Sequence, residues 1–285
     1  MARRTGFVDI GRKRINDGSK YEHDINISNR INIPDDEILV NVIKKKIKPQ
    51  SYIPDYSGFH NSNPNTKDRI EKSKSYQDLS TICIVPAIKP IPPKIVQAWR
   101  NMMTPMNNKF FMMMAEDKEV GAAYSDAIEM ILAHPDLSTW KYLLCLETDN
   151  APPPDGLLKL YESIDKYDVV SGLYFCKGEM GAPMAYGKTD VFPVNFIPFL
   201  PPADSITPVR GTGMGFCLFR LDMFKDKRFP KPFFQTVQRY EEGRGAQAYT
   251  QDLKWAEEAG KLGYKLCVDS RVKVGHYDYS QDKMW

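Results

Sequence analysis

Nowhere do these 285 residues run to twenty uninterrupted apolar positions, and Met1-Ala2-Arg3-Arg4-Thr5-Gly6 carries charge with no hydrophobic stretch behind it. The first absence excludes an ordinary membrane-spanning helix, and the second predicts no signal peptide. The five cysteines, Cys83, Cys145, Cys176, Cys217 and Cys267, stand singly inside apolar segments, with no CxxC pair. A disulfide scaffold and a structural zinc site are therefore disfavoured, and reduced core thiols in a cytoplasmic protein are expected. Histidine is scarce, with four in the chain, and no charge of one sign dominates, the formal net charge being +3. What is present is globular material: 42% hydrophobic and 26% charged residues at a mean hydropathy of −0.45. That composition suffices for a sizeable core.

The small positive surplus sits in the first 79 residues, which hold 15 Lys plus Arg against 11 Asp plus Glu. This segment is rich in Asn, Asp, Ser and Lys, and it reads as an irregular, basic N-terminal extension or small appendage. Its clusters, Arg12-Lys13-Arg14 and Lys44-Lys45-Lys46 with Lys48, are ordinary solvated surface or a contact for an anionic partner such as nucleic acid.

From residue 80 the text changes. Thr81 to Val85 is a short continuous β-type run ended by Pro86; Lys94 to Met103 has helical spacing; Lys109 to Met114 reads as a second buried strand ending at Glu116 and Asp117. A helix from Tyr124 to Ala133, a strand at 142–147, a helix from Asp155 to about Ile164 and a strand from Asp168 to Phe175 follow. This fourfold alternation predicts an α/β domain over 80–285, with a mostly parallel, Rossmann-like sheet and helices on both faces. In such sheets ligands bind beyond the carboxyl ends of the strands, where Pro86, Glu116, Asp117, Glu147 and Asp149 all fall.

Glu147-Thr148-Asp149 closes an apolar run, and in an extended strand its two carboxylates would share a side. They are an acidic turn, or the holders of a hard divalent cation that carries phosphate oxygens. The segment from 176 to about 208 is irregular, rich in Pro and aromatics. Gly211-Thr212-Gly213-Met214-Gly215 then runs into an apolar strand; it lacks the strand-before, helix-after setting of a dinucleotide fingerprint, so an NAD site is rejected. Thr250 caps a helix ended by Gly263, which places Asp252 in its first turn, where contact with the helix dipole is role enough. Strands at 264–268 and 272–274 lead to His276, a structural histidine when taken singly.

In this order the pieces resemble the GT-A glycosyltransferases, the family 2-like and polypeptide-glycosyltransferase-like branches in particular, over roughly residues 80–278. The Glu147-Thr148-Asp149 element stands where that family has its Asp-x-Asp signature, with glutamate replacing the first aspartate. The resemblance implies a metal-dependent transfer from a nucleotide-sugar, a UDP-sugar before others, to an acceptor hydroxyl on a glycan, with a hydroxylated DNA base as the minority acceptor. It implies Asp149 and His276 as metal ligands with Glu147 on the ion, its water or the ribose. Mn²⁺ is preferred to Mg²⁺ because an imidazole suits the softer ion. Pro86, Ala87, Glu116 and Asp117 would line the nucleoside pocket, and Gly211, Thr212, Gly213 and Met214 would wall the sugar. Asp252 would be the general base of an inverting reaction. A nucleotidyltransferase, or a sugar-binding module that has kept such a fold without activity, are the alternatives.

Overall fold

A computed structural model describes residues 78–285, except 106–108, 193 and 244. The basic clusters of the N-terminal extension lie outside the described residues.

Strand β1 (Thr81–Ala87) pairs in parallel with β2 (Phe110–Glu116) and with β3 (Tyr142–Leu146). Helix α1 (Pro93–Asn101) joins β1 to β2, and α2 (Val120–Ala133) joins β2 to β3. Proline at the first helical position suits α1, where its missing N–H costs nothing. The side chain of Glu119 accepts the Ala122 N–H at 3.0 Å and starts α2. After β4 (Asn150–Ala151) and α3 (Gly156–Ser163) come β5 (Val169–Leu173), β6 (Ala185–Lys188), β7 (Ile206–Thr212) and β8 (Phe216–Arg220). A hairpin of β9 (Val237–Glu241) and β10 (Gly245–Tyr249) precedes α4 (Gln251–Lys261); β11 (Leu266–Lys273), β12 (Gly275–Asp278) and β13 (Lys283–Met284) complete the chain.

Eight strands form one mixed, mostly parallel sheet in the order β2-β1-β3-β8-β5-β11-β7-β6. Strand β8 lies antiparallel between β3 and β5, and β7 runs antiparallel to β11. Period-two alternation sends Ile82, Ile84, Leu143 and Cys145 into one core with Tyr124 and Ile128 of α2 and Trp255 of α4. It sends Cys83, Val85, Leu144 and Leu146 into a second core with Trp99 of α1 and Leu157 and Leu160 of α3. Helices thus cover both faces, as the alternating pattern predicts.

Four local expectations change. Strand β2 is half exposed rather than buried, with Phe111 at 45% and Met114 at 42% exposure, because it is the sheet edge and has a neighbour on one side alone. The irregular stretch before Val209 contains β6 and begins β7. The two strands expected at 264–268 and 272–274 are one, β11, whose register with β5 slips between Asp269 and Lys273. Finally, β3 ends at Leu146, so Glu147, Thr148 and Asp149 make a turn closed by Asn150 N–H on the Glu147 carbonyl at 3.0 Å. Their carboxylates are brought together by that turn and not by strand alternation.

Candidate active site

The turn after β3 leads directly into β4, and β4 pairs antiparallel with β12 so that His276 faces Asn150 in the register. That pairing explains how a residue 127 positions further on reaches Asp149: the Tyr277 N–H donates to the Asp149 carbonyl at 2.7 Å. On its other side His276 exchanges both backbone hydrogen bonds with Trp285, each 3.0 Å. The ring is held as firmly. Its Nδ1 lies 2.7 Å from the Phe175 carbonyl, and the ring stands perpendicular to that of Tyr174 with centroids 5.4 Å apart. A carbonyl only accepts, so Nδ1 carries a proton, and Nε2 is the ring nitrogen turned toward Asp149. Nε2 stands 3.6 Å from Asp149 Oδ2.

The same Oδ2 accepts a hydrogen bond from the Lys177 ammonium at 2.5 Å. Burial pushes the Asp149 carboxyl up, but His276 and Lys177 beside it outweigh burial and hold it below the ordinary carboxylate range. Glu147 behaves in the opposite way. It keeps some surface exposure, yet burial of the carboxyl, with the neighbouring Asp149 and Asp252 charges, raises it to about 8, with Lys177 opposing. In the free chain near neutral pH Glu147 is therefore mainly protonated.

Asp252 is 7% exposed and belongs to the same electrostatic cluster, since its charge raises Glu147. Burial raises its own carboxyl, against hydrogen bonds from the Thr250 hydroxyl and from the Leu253 N–H at 2.9 Å. Thr250 occupies the N-cap position of α4, but its hydroxyl serves Asp252 instead of a helix N–H. The start of α4 also meets the glycine run: a Cβ on Gly211 would lie 3.0 Å from both Leu253 and Phe196. Gly211 lies within β7, Gly213 and Gly215 fall in the turn after it, and strand β8 follows. Gly213 and Gly215 are there for close packing, since a Cβ would come within 2.1 Å of the Tyr174 hydroxyl at Gly213 and within 2.4 Å of Asn150 Oδ1 at Gly215.

At the ends of β1 and β2, Ala87, Glu116 and Asp117 line a cavity of about 290 Å³ with Lys89 and Met114, while Pro86 is buried and does not line it. A larger hollow of about 830 Å³ around Glu129, Phe224 and Lys231 contains none of these residues.

The described residues hold no group of three or more His, Cys, Asp and Glu side chains arranged as a metal cage. What they hold is the Asp149–His276 pair. Two bonds of about 2.1 Å reach across 3.6 Å, and a Mg²⁺-like ion bound by one or two side chains keeps its remaining positions for water and phosphate oxygens. The Nδ1–H bond to Phe175 is the outer support a metal-binding imidazole requires. The residues fit a divalent ion.

Sequence reasoning missed Lys177, Tyr174 and Tyr279. Tyr279 donates to the Thr148 carbonyl at 3.2 Å, and its ring lies 5.8 Å from the Lys177 ammonium and 5.9 Å from that of Lys89. Lys177 stands in an irregular stretch without periodicity, so nothing local marks it. Tyr174, just past the end of β5, reads as one more core aromatic.

This α/β sheet with its residues gathered at the carboxyl ends of β1 and β3 is a GT-A-like, Rossmann-like fold. It is similar to the crystal structure of A197 from STIV, with a TM-score of 0.50 and 16% identity over 72% of this chain and 92% of that one. It is also similar to GalNAc-T7, crystallised with UDP, GalNAc and Mn²⁺, at a TM-score of 0.48 and 11% identity over 70% of this chain. That second likeness spans 44% of the GalNAc-T7 chain. No protein-family model and no curated protein matches the sequence.

Proposed function

We propose that the chain is a glycosyltransferase that moves a sugar from a nucleotide-sugar, a UDP-sugar first among them, to an acceptor hydroxyl with inversion. The observation that carries this reading is the convergence of Asp149 Oδ2 and His276 Nε2 at 3.6 Å, beyond the carboxyl ends of parallel strands, with the buried Asp252 carboxyl in the same field. Asp149 and His276 would hold the divalent ion, Mn²⁺ in preference to Mg²⁺. When bound, the ion would neutralise charge that builds on the departing diphosphate.

The chain's own residues do the rest. Ala87, Glu116 and Asp117, over the buried Pro86, receive the nucleoside in the cavity they line. Glu147 would contact the ribose hydroxyls, the ion or a water bound to it. Gly211, Thr212, Gly213 and Met214 wall the transferred sugar beside α4. Asp252 accepts the proton of the acceptor hydroxyl at its carboxylate. Its raised affinity for protons makes it a stronger base than a surface aspartate, and general-base help of this kind contributes about 10²- to 10⁴-fold. A glycan is the preferred acceptor. All five cysteines are free thiols, which suits a cytoplasmic setting, and no described helix is long and apolar enough to cross a membrane.

A nucleotidyltransferase normally cradles phosphates in a glycine-rich loop after the first strand. Here Ile88-Lys89-Pro90-Ile91 follows β1 with no glycine, which ranks that reading second. The test is release of nucleoside diphosphate from a panel of UDP-, GDP- and TDP-sugars with Mn²⁺ or EDTA. Metal-dependent release from one donor, absent in Asp149→Ala, is the expected result. No release from any donor, with no donor raising the melting temperature, would leave a glycosyltransferase-like fold with another task.

A further inference from the structure

The carboxylate assigned to the ion is already paired with a cation. Lys177 reaches Asp149 Oδ2 from the loop after β5, and that oxygen is the one facing His276 Nε2. The ammonium and an ion bound by both donors therefore compete for one oxygen. Both partners are largely covered, the side chains being 30% and 19% exposed, so water screens the pair less than it would a surface bridge. Lys177 has somewhere else to go. Tyr279 presents its ring 5.8 Å from the ammonium, and Lys89 stands 5.9 Å from the same ring. Among the described residues Lys89 makes no ion pair, so this corner holds spare positive charge suited to an anion.

We propose that Lys177 is a displaceable resident counter-ion of the metal site. In the free protein it neutralises Asp149 and keeps divalent ions weakly bound. An ion that enters between Asp149 and His276 dislodges the ammonium, which then swings toward Tyr279 and adds to the positive charge available to the donor diphosphate. This rests on the reading of Asp149 and His276 as metal donors. It adds a role for a residue outside that ligand set, and a physical outcome: the apoprotein discriminates against a bare ion in favour of an ion that arrives with phosphate.

The experiment is a titration of the whole, donor-free protein with Mn²⁺, followed by the electron paramagnetic resonance of free Mn²⁺, in wild type, Lys177→Gln and Lys177→Arg. Removal of a full positive charge next to a divalent ion predicts that Lys177→Gln binds Mn²⁺ at least about tenfold more tightly. Lys177→Arg keeps the charge and should stay as weak as wild type or weaker. Adding Asp149→Asn to Lys177→Gln should abolish the gain. Lys177 lies outside the core, and an unchanged melting temperature in the variants checks that the fold is intact. Equal Mn²⁺ affinity in wild type and Lys177→Gln would overturn the counter-ion role and leave the metal site standing. Tighter binding that survives Asp149→Asn would overturn it too. No binding in any form at millimolar Mn²⁺ would remove the metal reading and the counter-ion with it.

Discussion

Gly213→Ala adds one methyl group, and the structure says where it goes. Gly213 turns the chain between β7 and β8, and the new Cβ would sit 2.1 Å from the Tyr174 hydroxyl, 2.9 Å from its Cζ and 2.7 Å from the Met184 methyl. The methionine end can move aside. Tyr174 cannot: it is 1% exposed, its hydroxyl accepts the Gly215 N–H at 2.9 Å, and its ring packs perpendicular to that of His276. Overpacking costs about 1–3 kcal/mol, and an unpaired buried N–H about 1–3 kcal/mol more. The sum of about 2–6 kcal/mol lowers the melting temperature of a domain of this size by about 5–20 °C. Displacing Tyr174 also moves the imidazole, so Mn²⁺ binding should weaken in parallel. Gly260→Ala is the matched control, since a Cβ there meets nothing within 4 Å and the residue lies inside α4. It should raise stability by about 0.5–1 kcal/mol. Thermal unfolding of the three proteins reads both signs. A Gly213→Ala protein that melts within about 2 °C of wild type would show that this packing does not constrain the turn.

Asp252→Asn should cut transfer by about 10²- to 10⁴-fold and yet melt higher than wild type at neutral pH. Folding raises this carboxyl, so its contribution to stability is present below the unfolded value and is lost as pH rises through the folded one; the advantage of Asn should therefore grow between acid and neutral melts. Loss of activity without that pH-dependent gain would refute the burial argument. Tyr124→Phe removes a buried hydroxyl that has the Cys145 thiol beside it and no hydrogen-bond partner, and denaturant titration should show a gain of about 1 kcal/mol. Arg271→Ala strips the bidentate partner from Asp269, which is fully buried, and should cost about 3–5 kcal/mol in the same assay.

The sheet was legible because β1, β3 and β5 are short apolar runs between helical spacings, a pattern that burial on both faces imposes. Strand β2 misleads because its run Phe110-Phe111-Met112-Met113-Met114 is as apolar as a central strand, while its edge position depends on pairing that no local pattern encodes. The join in β11 was hidden for a related reason. Asp269 and Arg271 look like a polar break, but they satisfy each other within the strand. At the site, Glu147, Asp149, Asp252 and His276 stood out as chemical types at element ends. Their mutual distances did not, because the approach of His276 to Asp149 depends on β4 meeting β12. Lys177 was invisible for want of any period, and its contact with Asp149 exists only in three dimensions.

The two hydrogen bonds between Trp285 and His276 make Trp285 part of the imidazole's mounting. Cutting the chain before that residue would unpair the histidine backbone on that side. A variant shortened to residue 284 should therefore be suspected of altered metal affinity before any residue of the centre is blamed.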